Sequence, residues 1–135
     1  MTLGDLRGNG ILDVVATDGG QGGDSEVAVL LGNGDGTFQS AINYDSGGFA
    51  AESVAIADLT GNGIPDLVVT NACENEGCQG DGTAGVLLGN GDGTFQPVAL
   101  YDSGGNRSNS KSSRRSASRP HSRILHRLRC SRIQA

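Results

Sequence analysis

The sequence predicts an all-β fold made from two copies of one four-stranded unit, and three observations predict it. Residues 30–39 recur identically at 87–96, which shows an internal repeat. Short apolar runs such as Val54-Ala55-Ile56-Ala57 are bounded by Gly, Asn and Asp, as β-strands require. No part of residues 1–105 has the apolar spacing of a helix.

The repeat sets the predicted domain organisation. Residues 44–48 recur at 101–105, and the pattern of residues 5–13 recurs at 58–66. The copies of residues 30–39 and 44–48 lie 57 residues further along the chain, whereas the copy of residues 5–13 lies 53 residues further. A four-residue insertion in the loop that contains Cys73 and Cys78 accounts for the difference. These matches predict a first unit over residues 1–52, a second over 53–105 and a different segment over 106–135.

Each unit is predicted to contain four short strands. In the second unit we expect them at about 53–58, 66–70, 84–89 and 94–101, with Asn-Gly and Asp-Gly in a tight hairpin at 90–93. A phosphate-binding loop is a poor alternative for this glycine-rich motif, because no helix follows it. The opening strand of the first unit is reduced to Thr2-Leu3-Gly4, so we expect the chain to begin inside a repeat.

One loop in each unit has the oxygen ligands that calcium prefers. In the second unit they are the side chains of Asp58, Thr60, Asn62 and Asp66 and the carbonyl of Ile64, at alternate positions with Gly63 at the turn. In the first unit they are Asp5, Asn9, the carbonyl of Ile11, and Asp13. Arg7 stands where Thr60 does; it cannot bind a cation and it adds positive charge.

The EF-hand is the obvious alternative for these loops, and the sequence excludes it. An EF-hand has a bidentate Glu at position 12, where this chain has Ala16 and Val69. The flanking residues are β-branched runs rather than helices.

The two motifs of each unit resemble an FG-GAP/VCBS repeat, the blade of integrin-α-type β-propellers. The resemblance rests on Val54-Ala55-Ile56-Ala57 followed by the Asp58–Asp66 loop, and then on Leu-Leu-Gly-Asn-Gly-Asp-Gly-Thr-Phe. It implies about two blades of a partial propeller, with calcium in the loop between the first two strands of each. It also implies adhesion, or binding of a protein or carbohydrate ligand, outside the cell or in its envelope, and neighbouring blades as partners.

An enzymatic function is not expected. Residues 1–105 contain no His and no Lys, so a Ser/His/Asp or Cys/His set cannot form there. The leading hypothesis is a calcium-binding, non-catalytic repeat module, in this chain as a truncated fragment. The alternative is an accessory domain of an extracellular carbohydrate-active enzyme.

Charge separates residues 106–135 from the rest of the chain. Residues 1–105 contain all 15 acidic residues and one basic residue, whereas 106–135 contain nine basic and no acidic ones. One interpretation is a disordered Arg/Ser tail that binds nucleic acid through phosphates, although it lacks aromatic residues for stacking. We favour a shifted reading frame, in which residues 115–121 can encode Val-Ala-Leu-Ala-Asp-Leu-Thr, the start of a further blade.

Three further features bear on location. The N-terminus lacks the basic start and apolar core of a signal peptide, so as written the chain has no route out of the cytoplasm. No apolar stretch is long enough to span a membrane. Cys73 and Cys78 either form a disulfide in an oxidising compartment or are two thiols without a role, and Cys130 is left over.

Overall fold

The computed structural model describes residues 1–19, 24–74, 77 and 81–103. Its eight strands are β1 (Thr2–Gly4), β2 (Asp13–Asp18), β3 (Glu26–Leu30), β4 (Ile42–Asp45), β5 (Phe49–Ala57), β6 (Asp66–Cys73), β7 (Thr83–Leu87) and β8 (Ala99–Asp102). There is no helix in this part of the chain, and hence none that could span a membrane. The predicted all-β fold is confirmed. The basic tail and its possible origin in a shifted frame lie outside the described residues.

The strands form two antiparallel four-stranded sheets, in the orders β1-β2-β3-β4 and β5-β6-β7-β8. Each strand therefore pairs with its neighbours in sequence, which is the simplest arrangement for short strands joined by tight turns. The two sheets have corresponding registers: Gly4 pairs with Asp13 in the first, and Ala57 pairs with Asp66 in the second. This is the arrangement expected of two propeller-like blades, and we call the sheets blade 1 and blade 2.

Two predicted strands of blade 2 have different ends in the structure. β5 begins at Phe49 rather than near Ser53, and a bulge between Ala51 and Ser53 interrupts its pairing with β6. The fourth strand begins at Ala99 rather than Thr94. The earlier residues form a tight turn in which Phe95 pairs with Gly89, and Pro97, which has no N–H to donate, follows it.

The core lies between the two blades and belongs to both. Alternate residues of the inner strands are buried, as a sheet with one face in the core requires. The members are Leu6, Val15, Val27, Val29, Leu31, Ala51, Val54, Leu67, Val69, Leu87 and Phe95. All of these side chains except Phe95 are aliphatic, so small aliphatic groups rather than aromatic rings fill the core.

Polar contacts also join the blades. The Ala51 N–H donates to Ser25 Oγ at 3.1 Å, and Asn71 Nδ2 donates to the carbonyl of Ser46 at 3.0 Å. Cys73, at the end of β6, is buried and disulfide-bonded, whereas Cys78 and Cys130 lie outside the described residues. Of the two interpretations of the cysteines, the structure thus favours a disulfide.

Candidate metal-binding loops

Residues 58–66, which we call loop B, connect β5 to β6 and are organised by Asp58. Asp58 Oδ1 accepts a hydrogen bond from the Gly61 N–H at 2.9 Å, and Oδ2 accepts one from the Gly63 N–H at 2.8 Å. Gly61 and Gly63 have φ values of 74° and 80°, which glycine adopts without strain. The loop therefore turns back around the carboxylate of its first residue.

The remaining predicted ligands of loop B lie on the same turn. Asn62 Oδ1 accepts a hydrogen bond from the Ile64 N–H at 3.0 Å, which fixes the amide side chain against the loop. Thr60 and Asn62 are exposed and Ile64 is half-buried. The side chains at positions 3 and 5 thus remain accessible from solvent.

Asp66 connects loop B to the rest of blade 2. It is buried, and its Oδ2 accepts a hydrogen bond from the Leu59 N–H at 2.9 Å. Its Oδ1 accepts one from the Gly89 N–H at 2.8 Å. The first and last carboxylates of the loop therefore both bind backbone amides of residues 59–63, and Asp66 also holds the turn that follows β7.

Residues 5–13, which we call loop A, repeat this design in blade 1. Asp5 Oδ2 accepts a hydrogen bond from the Gly10 N–H at 2.7 Å, and Asn9 Oδ1 accepts one from the Ile11 N–H at 3.0 Å. The buried Asp13 accepts hydrogen bonds from the N–H groups of Leu6 and Gly32, at 3.0 and 2.8 Å.

Arg7 makes loop A chemically different from loop B. Its Nη2 lies 2.7 Å from Asp13 Oδ1 and also donates to the carbonyl of Gly32 at 2.7 Å. The guanidinium thus supplies a positive charge directly to the buried carboxylate. Thr60, at the same position of loop B, brings no charge to Asp66.

The first carboxylate of each loop is kept ionised by the backbone. The Gly10 N–H lowers the pKa of Asp5 below its ordinary value of 3.8, and the Gly63 N–H does the same for the pKa of Asp58. Hydrogen bonds from amides favour the charged form of a carboxyl group. Both loops therefore present anionic oxygens at neutral pH.

The two loops differ in how well their residues fit a calcium ion. Loop B offers two carboxylates, an amide oxygen, a hydroxyl and a carbonyl, a set of hard oxygens that leaves room for water. Loop A fits poorly, because Arg7 already provides the cation at Asp13. In the described part of the chain no three His, Cys, Asp or Glu side chains cluster as a metal site, so either loop would depend on its neutral oxygens.

The close approach of the turn to the loop was not predicted from the sequence. A Cβ at Gly89 would clash with the carbonyl oxygen of Pro65, and one at Gly32 would clash with that of Leu12. The only signal was that Gly32 and Gly89 occupy the same place in the repeated decapeptide. Its glycines were interpreted as turn residues rather than as points of contact with the loop.

Comparison with known proteins supports the assignment of the repeat. Residues 5–69 match the sequence model of the FG-GAP-like repeat, so the match runs from loop A through loop B. No curated protein and no solved structure is significantly similar to the chain. The sequence match over residues 5–69 and the two corresponding four-stranded sheets are consistent with an FG-GAP repeat protein.

Proposed function

We propose that the chain is a non-catalytic, calcium-binding propeller repeat module that serves adhesion or binds a protein or carbohydrate ligand outside the cell. The observation that carries the calcium part is loop B, where Asp58, Asn62 and Asp66 are held on one glycine turn and form no ion pair within the described residues. A site of this kind stabilises a blade rather than catalysing a reaction.

The oxygens of loop B that would hold the ion are those of Asp58, Thr60, Asn62, Ile64 and Asp66. Bound calcium would supply positive charge where two carboxylates share a short loop and no basic side chain of the described residues pairs with them. Because Asp66 also accepts the Gly89 N–H, order in loop B is transmitted to the turn after β7. We therefore propose one calcium ion per chain as a structural staple, with the ligand set of loop A remaining a weaker candidate.

The extracellular location is part of this proposal, and one observation supports it. Cys73 is disulfide-bonded, and stable disulfides form in oxidising compartments. A calcium site of modest ligand charge would suit the millimolar calcium found outside cells. We expect the protein or carbohydrate ligand to bind a surface formed by more than one blade.

The test is the effect of calcium on thermal unfolding of the full-length chain, measured by circular dichroism. We expect millimolar calcium to raise the Tm of the unsubstituted chain by several degrees, since a ligand that binds only the folded state stabilises it. Asp58→Ala should abolish that rise. Magnesium at the same concentration should give a much smaller rise, because it demands smaller, octahedral sites.

Asp92→Ala is the matched control. Asp92 is also an exposed aspartate that holds a tight turn, through the Thr94 N–H at 2.9 Å, but it lies outside loop B. Its variant should lose stability and still respond to calcium. A calcium response equal in the Asp58→Ala and unsubstituted chains would contradict loop B as the site.

A further inference from the structure

The contact between the two blades pairs specific residues of one repeat with different residues of the next. The Tyr44 ring of blade 1 meets the Phe95 ring of blade 2 edge to face, with 5.6 Å between the ring centroids and an interplanar angle of 87°. Ile56 of blade 2 lies against Gly4 of blade 1, where a Cβ would be 2.7 Å from the Ile56 side chain. The contact is therefore heterologous, with a different surface contributed by each blade.

Because the blades are repeats, each half of this contact occurs a second time on the outside of the chain. Phe38 and Leu3 correspond to Phe95 and Ile56, and we call this surface of blade 1 the leading face. Tyr101 and Leu59 of blade 2 correspond to Tyr44 and Leu6, and we call this surface the trailing face.

Solvent exposure shows that these outer halves have no partner within the described chain. Phe95 is 8% exposed inside the contact, whereas Phe38 on the leading face is 43% exposed. Leu6 is 2% exposed, whereas Leu59 on the trailing face is 50% exposed. Leu3 and Tyr101 are also open, at 57% and 60%. Their counterparts Leu6, Tyr44, Ile56 and Phe95 all pack in one core cluster, so these side chains are the apolar groups that a repeat of the contact would cover.

The two outer faces also keep the local structure that the inner contact uses. Phe38 and Phe95 follow identical turns, in which the Asn33 N–H donates to Thr37 O at 2.9 Å and the Asn90 N–H to Thr94 O at 3.0 Å. Tyr44 and Tyr101 lie at the same position of the edge strands β4 and β8. Each face is thus preformed for the other, but the two are at opposite sides of one chain.

We propose that the trailing face of one copy of this chain binds the leading face of a second copy, repeating the contact that joins blade 1 to blade 2. Phe38 of one copy would then meet Tyr101 of the other, and Leu59 would be covered as Leu6 is. A second copy is the occupant that the structure favours, because the chain carries both halves of a contact it already makes. Head-to-tail contacts of this kind close into a ring or extend as a chain.

This contact is expected to be weaker than the one inside the chain. Within the chain, Val98 and Leu100 of blade 2 approach Gly47 of blade 1. The residues at the corresponding positions of the leading face are Ala41 and Asn43, which offer less apolar surface. The inner contact is also intramolecular, so it does not lose the entropy of association. We therefore expect assembly that depends on concentration.

Sedimentation velocity of the full-length chain tests the proposal over a range of concentrations. The unsubstituted chain should assemble, and Phe38→Ser and Tyr101→Ser should each sediment as smaller species. A mixture of the two variants should restore one contact, because the first retains the trailing face and the second retains the leading face. The mixture should therefore form a dimer that neither variant forms alone.

Two controls separate loss of the contact from general effects of the substitutions. Leu12→Ser removes an exposed leucine outside both faces and should assemble like the unsubstituted chain. Circular dichroism should show that both serine variants keep their β structure; if one does not, Leu3→Ser or Leu59→Ser replaces it on the same face. A chain that stays monomeric at all concentrations would overturn the proposal. So would assembly unaffected by either variant, or variants that fail to complement each other, since a symmetric dimer gives that last result.

Discussion

At the scale of single residues, Arg7 and Thr60 give two copies of one loop different electrostatics. Asp13 and Asp66 are both buried and both accept two backbone hydrogen bonds, but among the described residues a basic side chain pairs with Asp13 and none with Asp66. A buried charge is stabilised further by an opposite charge or a bound metal ion, beyond its hydrogen bonds. In loop A that charge comes from Arg7, and we propose that in loop B it comes from calcium.

Replacing Arg7 should remove the ion pair with Asp13 and allow calcium to take its place in loop A. We expect Arg7→Asn to lower the free energy of unfolding by about 1–3 kcal/mol in chelator, because the charged hydrogen bond to Asp13 is lost. Asparagine is also a calcium ligand, so added calcium should stabilise this variant more than the unsubstituted chain. Urea unfolding with and without calcium measures both effects.

Thr60→Asn is the matched control for that substitution. It places the same side chain at the same position of loop B, where no ion pair is broken, so it should not lose stability in chelator. If Arg7→Asn proved as stable as the unsubstituted chain in chelator, the ion pair would contribute nothing to the free energy of unfolding. Arg7 would then not be what stabilises the buried Asp13 carboxylate.

The pH dependence of stability should report the loop carboxylates. The pKa values of Asp5 and Asp58 are lowered by hydrogen bonds from Gly10 and Gly63, so the folded state holds the charged forms more strongly than the unfolded chain does. That stability is present above the unfolded pKa, about 3.8, and is lost as the pH falls through the lower folded values.

In chelator, unfolding measured from pH 7 to pH 2 should therefore show a steep loss of stability only below about pH 4. Asp58→Asn should make that loss shallower, since one of the responsible groups no longer titrates. Glu52→Gln removes the same charge outside the loops and should leave the slope as it was. An equal change in both variants would mean that net charge, rather than the hydrogen bonds of loop B, sets the acid limit.

At the scale of elements, the repeated decapeptide connects two strands and also contacts loop B. Gly89 passes so close to the carbonyl of Pro65 that no side chain fits. Asp66 also accepts a hydrogen bond from the Gly89 N–H, so this hydrogen bond and the close backbone contact both join the turn to loop B.

Gly89→Ala should therefore be costly, by about 1–3 kcal/mol, because the added methyl group must move a backbone carbonyl. Gly91→Ala lies in the same turn at a φ of 89° and should cost about 1–2 kcal/mol from backbone strain alone. The distinguishing measurement is calcium affinity, which only Gly89→Ala should reduce. Equal calcium affinities would show that the turn and loop B are not coupled.

The elements also show where inference from the sequence succeeds and where it fails. Inner strands such as β6 were predictable, because β-branched runs bounded by glycine and aspartate specify a buried strand locally. The start of β5 at Phe49 was not, because a bulge and contacts with Ser25 of the other blade extend it. The fourth strand begins later than its sequence suggests, because Pro97 has no N–H to donate to the sheet.

The candidate site could also be predicted only in part. The alternating oxygen-bearing residues of loop B were visible in the sequence, since their spacing alone defines the pattern. The pairing of Arg7 with Asp13 and the capture of Gly89 by Asp66 were not visible, because both depend on how distant segments meet.

At the scale of the whole molecule, two blades share one core and leave two faces open. A repeat protein buries each unit only against its neighbours, so the outermost units expose what the inner contact covers. The net charge of −5 on the full-length chain opposes the approach of a second copy. We therefore expect the assembly proposed above to strengthen as salt is raised toward 0.5 M, where surface repulsion is screened. Sedimentation velocity at low and high salt checks this, and assembly that weakened with salt would contradict an apolar contact.

We propose that loop B binds calcium and that loop A, where Arg7 pairs with Asp13, binds it too weakly to be filled at millimolar calcium. Calorimetric titration of the full-length, unsubstituted chain with calcium distinguishes the two loops, because it counts the ions. We expect one ion per chain. Two ions would show that Arg7 yields to calcium in loop A, and no binding would show that the loop B oxygens serve only the backbone; neither result is compatible with the proposal.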